Sequence, residues 1–272
     1  MTHGAPRSAW RARLCQRIAR QQRCWSDAEL RAPAVVLAPH QDDETLGCGA
    51  TIAAKRAAGA RVEIVFLADG SSSHARFMDR QALAALRRRE ALAAAAELGV
   101  DRADVHFLDF PDRGLHEHRR AVAAAVRPLL LHGAFDQVYV PLRRDWPGDH
   151  SAARLVLSGA TAGLGRRHAV FEYPVWFWLR WPWIPKTQPG LRPALARARD
   201  LALWSWALRF RLRAYAASPK AHRAKWAALK QYQTQMARRD GDPRWRTLGD
   251  MGDGEFLRCF ERPFELFWRR PR

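Results

Sequence analysis

Short apolar runs alternate with longer alanine-rich segments along the middle of the chain. The run "AVVLA" at residues 34–38 has no polar interruption, as is typical of a buried strand. The alanine-rich segment 78–99 has the length of a helix and ends at Gly99, a residue common at helix ends. The same reasoning predicts strands at 61–69, 105–110, 136–142 and 168–177 and helices at 45–58, 116–131 and 151–164.

This regular alternation predicts an α/β fold. Strands separated by helices form βαβ units, which pair in parallel through right-handed crossovers. We therefore expect a Rossmann-like three-layer fold with a mostly parallel sheet. The segment "LGCGA" at 46–50 lacks the G-x-G-x-x-G spacing, which argues against dinucleotide binding.

The flanking segments differ from this core. Residues 8–30 are rich in arginine, and Trp10, Leu14 and Ile18 recur every four residues, which predicts a helix. A further helix is predicted at 219–238. The chain thus divides into an N-terminal helical extension (1–32), a main domain (33–240, core 33–180) and a C-terminal tail (241–272).

Residues 176–217 are unusually rich in tryptophan and arginine. One interpretation is that these side chains cover a sheet edge or line a substrate cleft. The other is that they form a surface that meets lipid headgroups. The tryptophans concerned are Trp176, Trp178, Trp181, Trp183, Trp204 and Trp206.

The chain is strongly basic, with a formal net charge of +19 over 272 residues. This charge reflects either an arginine-rich composition alone or attraction to an anionic partner such as a phosphorylated substrate or a membrane surface. Nucleic acid is the least favoured of these partners. The hydrophobic fraction of 48% is sufficient for a sizeable core.

Cysteine usage and the absence of long apolar runs indicate the compartment. The four cysteines show no paired spacing, which argues against a zinc–thiolate site or disulfides and fits reduced thiols. No signal-peptide core and no run of ~18 apolar residues occurs. We expect a cytoplasmic protein, either free or peripheral at the inner face of the membrane.

Polar residues cluster where the predicted strands end, which is where doubly wound sheets bind ligands. His40, Asp42 and Asp43 follow the first strand, and Asp149 and His150 follow the fourth. Two imidazoles and one carboxylate, here His40, Asp43 and His150, are a standard set of catalytic zinc ligands that leaves a position for water. A divalent cation would also relieve the repulsion between adjacent carboxylates. Asp42 would then act as the general base.

A simpler interpretation is helix capping, because acidic residues favour helix N-termini. Glu44 serves either in this way or as a supporting residue of the site. Asp149 either orients His150 or lies on the surface. The ligand set also accepts divalent metals other than zinc.

The stretch "PHQDDETLGCGA" resembles the P-H-x-D-D-E signature of the PIG-L/LmbE-like family. These N-deacetylases are zinc-dependent hydrolases that remove acyl groups, usually acetyl, from amino-sugar nitrogens. The stretches "FLADGSSSH", "RRREALAAAAELGV", "HFLDFPD" and "PGDHSAA" are similar to later family motifs in the same order. The resemblance covers residues 33–180 and continues weakly to about 240.

The resemblance implies roles for individual residues. His40, Asp43 and His150 match the metal ligands, and Asp42 matches the general base. Substrate-binding or supporting positions of the family correspond to Arg87 with Glu90, and to Asp112.

One position departs from the family pattern. The second motif commonly reads H-x-D-H, and its first histidine helps to stabilise the oxyanion, but Pro147 stands at this position. Loss of one oxyanion donor costs ~10²–10³ in rate. Arg143, Arg144 and His74 are candidates for a substitute donor.

We therefore expect a metal-dependent amide hydrolase that removes an N-acetyl or other N-acyl group from an amino sugar or glycoconjugate, with one zinc ion. Its partner would be a small-molecule or lipid-linked N-acetylated sugar, for which tryptophans offer stacking faces and arginines offer phosphate contacts. The alternative, motivated by Pro147, is a weakened or non-catalytic sugar-binding protein on the same fold. The sequence gives no indication of the oligomeric state.

Overall fold

The computed structural model describes residue 16 and residues 18–145, 148–180, 191–210 and 212–269. Within these residues the chain forms one seven-stranded sheet. Its strands are β1 (Ala34–Ala38), β2 (Val62–Ala68), β3 (Val105–Phe110), β4 (Gln137–Pro141), β5 (Ala169–Tyr173), β6 (Leu212–Ala216) and β7 (Phe264–Arg269). They lie in the order β3-β2-β1-β4-β5-β7-β6. The first five strands run in parallel, and β7 is antiparallel to both of its neighbours.

Helices cover both faces of the sheet. The described α-helices are α1 (Asp27–Arg31), α2 (Asp43–Ala57), α3 (Arg80–Glu97), α4 (Arg119–His132), α5 (Gly148–Thr161), α6 (Leu191–Phe210), α7 (Pro219–Gln231), α8 (Gln233–Met236) and α9 (Glu255–Arg258). The α2, α3 and α7 helices share one core with the sheet, and α4 and α5 share the core on the opposite face. The predicted three-layer α/β fold with a mostly parallel sheet is confirmed.

The central elements follow the predicted order, because their apolar residues are buried as the pattern requires. All residues of β1, β2 and β4 are buried. The last predicted strand is shorter than expected: β5 ends at Tyr173, and a 3₁₀ turn forms at Trp176–Leu179.

The predicted continuous helix at 8–30 is wrong over its described part. Helical residues end at Arg20, and Arg23 instead pairs with Tyr215 of β6. The Arg23 N–H donates to the Ala214 carbonyl at 2.8 Å, and Trp25 stacks on the Tyr215 ring at 3.8 Å. Pairing with the sheet thus overrides helix propensity here. Trp10 and Leu14 lie outside the described residues.

The C-terminal third contains elements that the sequence pattern did not predict. The α6 helix, β6 and β7 follow the tryptophan-rich segment, and β7 is inserted between β5 and β6. Residues 241–269, assigned to a tail in the sequence analysis, therefore supply an interior strand of the sheet. Among the described helices, none is both long and apolar enough to cross a membrane. Trp181 and Trp183 lie outside the described residues.

Candidate active site

The strand order brings two distant histidines together. The strand order reverses at β1, because β2 and β3 lie on one side of it and β4 and β5 on the other. Doubly wound sheets bind ligands at such a switch point, here between β1 and β4. His40 follows β1, and His150 lies in the first turn of α5 after β4. Their ring centroids are 5.7 Å apart.

Both imidazoles approach one carboxylate oxygen. The Asp43 Oδ2 atom lies 3.4 Å from His40 Nδ1 and 3.2 Å from His150 Nε2. The three side chains offer ligand atoms within 4.8 Å of one another. His150 Nε2 is buried and has no hydrogen-bond partner of suitable geometry, although Asp43 is close.

These distances fit a metal ion better than hydrogen bonds. With bonds of ~2.0–2.1 Å to a tetrahedral zinc ion, neighbouring ligand atoms lie ~3.3–3.4 Å apart. The two measured separations from Asp43 are close to this value, and the unpartnered nitrogen of His150 would gain a ligand bond. His40, Asp43 and His150 therefore suit a divalent cation.

The remaining nitrogen of each imidazole contacts a supporting carboxylate. His40 Nε2 lies 3.1 Å from Asp112 Oδ1 and 3.2 Å from Asp149 Oδ2. His150 Nδ1 lies 3.1 Å from Asp145 Oδ2. Such carboxylates fix the tautomer and the orientation of metal-binding histidines. Asp149 thus contacts His40, whereas Asp145 contacts His150, the residue for which the sequence suggested Asp149.

The supporting carboxylates are in turn held by backbone amides. Asp145 Oδ2 accepts hydrogen bonds from the N–H groups of Val175 and Trp176 at 2.9 and 3.1 Å. Asp149 accepts hydrogen bonds from the N–H groups of Arg113 and Leu115 at 2.8 and 3.1 Å. The loop after β3 and the turn after β5 therefore fix the two histidines.

The three candidate ligands are electrostatically coupled. Burial opposes the charge on Asp43, but the charge of His150 and hydrogen bonds from both imidazoles hold its pKa well below the usual range. Burial likewise opposes the charge on His150, but Asp43 and Asp145 raise its pKa to about 9. The pKa of His40 is also raised, because Asp112, Asp149 and Asp43 outweigh its burial. The surrounding carboxylates thus favour a positive charge between the two imidazoles, next to Asp43 Oδ2.

Asp42 stands in a different environment from its neighbour. Its φ of 126° lies in a region that is strained for a residue with a side chain, and such strain is common at functional sites. Its carboxylate makes no cap hydrogen bond to the helix. Burial and the charge of Asp43 raise the pKa of Asp42 to about 7. The capping interpretation therefore does not apply to Asp42, and its carboxylate is available for proton transfer.

Glu44 is fully buried beneath this turn. Its Oε1 accepts a hydrogen bond from the Tyr232 hydroxyl at 2.6 Å and one from Thr45, and its Oε2 accepts the Asp42 N–H at 3.2 Å. Burial raises the pKa of Glu44 to about 7, although the hydrogen bonds from Thr45 and Tyr232 oppose the rise. Glu44 thus supports the backbone at Asp42.

The side chains of Arg87 and His74 are buried among neighbouring residues and do not face solvent. The Arg87 guanidinium is buried and donates to Ser73 Oγ at 3.0 Å. His74 is 5% exposed, stacks on Trp245 at 4.0 Å and contacts the Arg246 carbonyl through Nε2.

Arg143 and Arg144, by contrast, are exposed on the turn that precedes Asp145. They are therefore accessible to a substrate that enters from solvent. Pro147, where the family pattern has a histidine, lies outside the described residues.

Three residues of the site were given no role by the sequence analysis: Asp145, Tyr232 and Gln235. Asp145 could have been found, because it follows β4 only five positions before His150. Tyr232 and Gln235 come from a helical region about 190 positions after Asp42, and no local pattern links them to it.

Comparison with known proteins supports the fold and the family. The family model described as "PIG-L: GlcNAc-PI de-N-acetylase" matches residues 35–160, which confirms the resemblance found in the sequence. No curated protein matches the chain. The conserved protein TT1542 from Thermus thermophilus is 26% identical, with a TM-score of 0.52 over 75% of this chain and 80% of that chain.

Two deacetylase structures share the fold at lower identity. The A40926 pseudoaglycone deacetylase Dbv21 is 19% identical, with a TM-score of 0.58 over 88% of this chain and 97% of that chain. The zinc inhibited form of the teicoplanin deacetylase Orf2 is 16% identical, with a TM-score of 0.60 over 87% of this chain and 97% of that chain.

Proposed function

Because residues 35–160 match the PIG-L family model, we propose that this protein is a metal-dependent N-deacetylase that acts on an amino sugar or glycoconjugate. The observation that carries the proposal is the approach of two imidazoles to one carboxylate oxygen, with a second carboxylate, Asp42, on the adjacent residue. This arrangement suits hydrolysis of an amide by an activated water.

In the proposed mechanism, His40, Asp43 and His150 hold the cation, and Asp42 moves the protons. When bound, a divalent cation supplies a polarising charge for the amide carbonyl and lowers the pKa of water. Asp42 accepts the proton of the water that attacks the amide carbon. The carbon–nitrogen bond then breaks, and Asp42 returns the proton to the departing amine. Acetate and a free amino sugar result.

The oxyanion that forms during attack needs a donor in place of the histidine replaced by Pro147. We propose Arg143 and Arg144 for this role, because they are exposed near the first turn of α5. His74 is a weaker candidate, since it is buried and its Nε2 already contacts a carbonyl.

Zinc is the metal that we propose. Its preference for nitrogen and oxygen ligands in tetrahedral sites matches the two histidines and Asp43. Other divalent metals accept the same ligands, and one related deacetylase is described in a zinc inhibited form. Activity should therefore be measured with zinc, cobalt, nickel and manganese, each titrated from below to above one equivalent.

A cavity beside the loop after β2 supports a conjugated rather than a simple sugar. Its volume is about 940 Å³, and it is lined by aromatic, basic and acidic side chains, among them Phe77, Trp245, Arg76, Arg239, Arg244, Asp240 and Asp242. Asp240 pairs with Arg239 and Asp242 with Arg244, which leaves Arg76 as the guanidinium best placed for an anionic group. Aromatic faces suit sugar rings, and guanidinium groups suit phosphate or carboxylate. The two deacetylase structures are described for the A40926 pseudoaglycone and for teicoplanin, so a substrate larger than a simple sugar is consistent with this fold.

The proposal is tested by metal analysis together with acetate release from a panel of N-acetylated sugars, sugar phosphates and glycoconjugates. We expect about one equivalent of divalent metal and acetate release that Asp42→Asn lowers by ~10²–10⁴ without loss of metal. Failure of the protein to bind any divalent metal would overturn the proposal.

The alternative is a sugar-binding protein that has lost catalysis, which Pro147 motivates. It predicts that the metal-loaded protein binds members of the same panel and releases no acetate from any of them. Calorimetric titration measures binding of the same sugars, and binding without acetate release identifies the second function.

We also propose contact with an anionic membrane through α6. Leu195, Leu201 and Trp206 are 61%, 42% and 40% exposed on this helix, and Arg199 is also exposed. With 3.6 residues per turn, Leu195, Arg199 and Trp206 lie within about 40° of one another on α6, whereas Leu201 lies about 120° from Leu195. The surface of Leu195, Arg199 and Trp206 suits an interfacial helix. Sedimentation with phosphatidylglycerol-containing vesicles at low salt should fall in Leu195→Gln/Arg199→Gln and persist in Leu131→Gln, an exposed leucine on α4. No sedimentation at low salt would refute this contact.

A further inference from the structure

One short segment contacts three separate buried carboxylates around the site. The Tyr232 hydroxyl donates to Glu44 Oε1 at 2.6 Å. Thr234 donates to Glu90 through its N–H at 2.8 Å and through its hydroxyl at 2.6 Å. The third contact runs from Gln235 Nε2 to Asp42 Oδ2 at 2.8 Å. Residues 232–235 thus connect α3, the first turn of α2 and the proposed general base.

The segment is firmly held in its place. Tyr232 is fully buried and Thr234 is 5% exposed. The Thr234 carbonyl accepts a hydrogen bond from Trp245 Nε1 at 3.0 Å. Because Glu90 takes both donors of Thr234, the backbone next to Gln235 is fixed from two sides. The amide of Gln235 therefore reaches Asp42 from a rigid support.

Gln235 forms a hydrogen bond with one oxygen of the Asp42 carboxylate. Within the described part of the chain, Gln235 is the only residue that donates a hydrogen bond to this carboxylate, and it does so at Oδ2. Oδ1 is left for another donor. Since Asp42 makes no cap hydrogen bond to its helix, the contact with Gln235 is the described hydrogen bond that restrains rotation of its carboxylate.

We infer that Gln235 is a positioning residue that holds the Asp42 carboxylate in the orientation needed to accept a proton from the attacking water, an inference that rests on the proposed function. Tyr232 and Thr234 fix the backbone that carries Gln235. The arrangement also explains the R-x-x-E pattern of α3: Glu90 anchors Thr234, whereas Arg87 contacts Ser73. The substrate need not touch any of these residues.

The test compares Gln235→Met with Gln233→Met. Methionine keeps the size of glutamine and removes the donor. Gln233 is a matched control, because it is exposed in the same segment and its amide contacts only the Lys230 carbonyl among the described residues. We expect Gln235→Met to lower kcat about 10- to 100-fold, because small errors in position cost this much. KM, metal content and Tm should not change, and Gln233→Met should match the wild type.

Crystal structures of the two variants give a readout that needs no activity. We expect the Asp42 carboxylate to rotate in Gln235→Met and to keep its orientation in Gln233→Met. An unchanged carboxylate in Gln235→Met, or an unchanged kcat where the wild type releases acetate, overturns the inference. If the wild type releases no acetate from any substrate, the proposed function fails, and the crystallographic comparison still decides whether Gln235 orients Asp42.

Thr234→Val extends the test to the support of Gln235. This change keeps the shape of the side chain and removes the hydroxyl that contacts Glu90. We expect a smaller decrease in kcat than in Gln235→Met, again without a change in KM. A wild-type kcat in Thr234→Val would show that Glu90 does not act through this segment.

Discussion

At the scale of single residues, the two consecutive acids of the first turn have opposite properties. Asp43 contacts both imidazoles, and their positive charges hold its pKa low. Asp42 contacts Gln235 instead, and burial next to Asp43 raises its pKa to about 7. The positive φ at Asp42 points the two side chains in different directions. Asp43 is therefore suited to be a metal ligand, and Asp42 is suited to be a general base.

A first prediction concerns the carboxylate that supports His150. Asp145→Asn should weaken binding of zinc about 10- to 100-fold, because the carboxylate orients the imidazole and raises its basicity. Calorimetric metal titration measures the effect. Asp136→Asn is the control, since Asp136 is an exposed acid on the preceding loop that pairs with Arg166. Equal affinities in the two variants would show that Asp145 does not support the ligand.

A second prediction concerns the glycines of "LGCGA". A Cβ on Gly47 would lie 2.1 Å from a ring carbon of Tyr173, whose hydroxyl donates to the Leu37 carbonyl. Gly47→Ala should therefore lower the free energy of unfolding by ~1–3 kcal/mol or more through overpacking. Gly165→Ala, where the added Cβ meets nothing within 4 Å, should leave it nearly unchanged. Urea denaturation compares the two.

At the scale of elements, α2 is interrupted at Cys48, whose φ and ψ of −147° and 21° are not helical. Glu265 of β7 accepts the N–H groups of Ala50 and Thr51, both at 2.9 Å. Lys225 of α7 donates to the Leu46 carbonyl at 2.9 Å and to Glu265 at 2.8 Å. A buried ion pair thus satisfies the backbone groups freed by the break and fixes the turn that carries Asp43.

The third prediction tests this ion pair. Lys225→Met should reduce the free energy of unfolding by ~3–5 kcal/mol, because it leaves Glu265 as a buried charge without its partner. Lys220→Met, an exposed position of the same helix, should change it by less than ~0.5 kcal/mol. Chemical denaturation followed by circular dichroism measures both. A small effect at Lys225 would mean that water or another group replaces the ammonium.

The fourth prediction concerns Lys55, which joins the end of α2 to α1. Its ammonium is buried, donates to the Glu29 carbonyl at 2.7 Å and has a pKa lowered by burial to about 8. Between about pH 8 and pH 10 the unfolded chain binds more protons at this residue, so stability rises with pH there. Lys55→Met should remove this rise, whereas Lys220→Met should keep it. Urea midpoints measured at pH 8 and pH 10 check the difference.

At the scale of the whole molecule, the last part of the chain completes the sheet. The β7 strand lies between β5 and β6, and its Glu265 reaches the interrupted helix α2. The first elements of the chain are therefore stabilised by a strand more than 200 positions later. This long-range closure makes the fold depend on residues outside the segment that carries the family motifs.

The fifth prediction follows from this closure. A chain that ends at Glu261 should fail to fold, because it lacks β7 and exposes the edges of β5 and β6. A chain that ends at Arg269 keeps the whole of β7 and should fold like the full-length protein. Soluble yield and the cooperativity of thermal unfolding distinguish them. A folded, metal-binding protein ending at Glu261 would show that the sheet is stable without β7.

The sequence by itself determined the parallel core and the nature of the candidate site, because buried strands, helix periodicity and the acidic turn after β1 are local patterns. His40, Asp42 and Asp43 could be singled out because they lie in a single turn. Tertiary structure decided the rest. The pairing of Asp149 with His40 and of Asp145 with His150, the contact of Gln235 with Asp42 and the place of β7 all depend on segments that are distant in sequence. Their side chains meet only because the sheet order and the packing of α7 and α8 bring them together, and no local periodicity records such contacts.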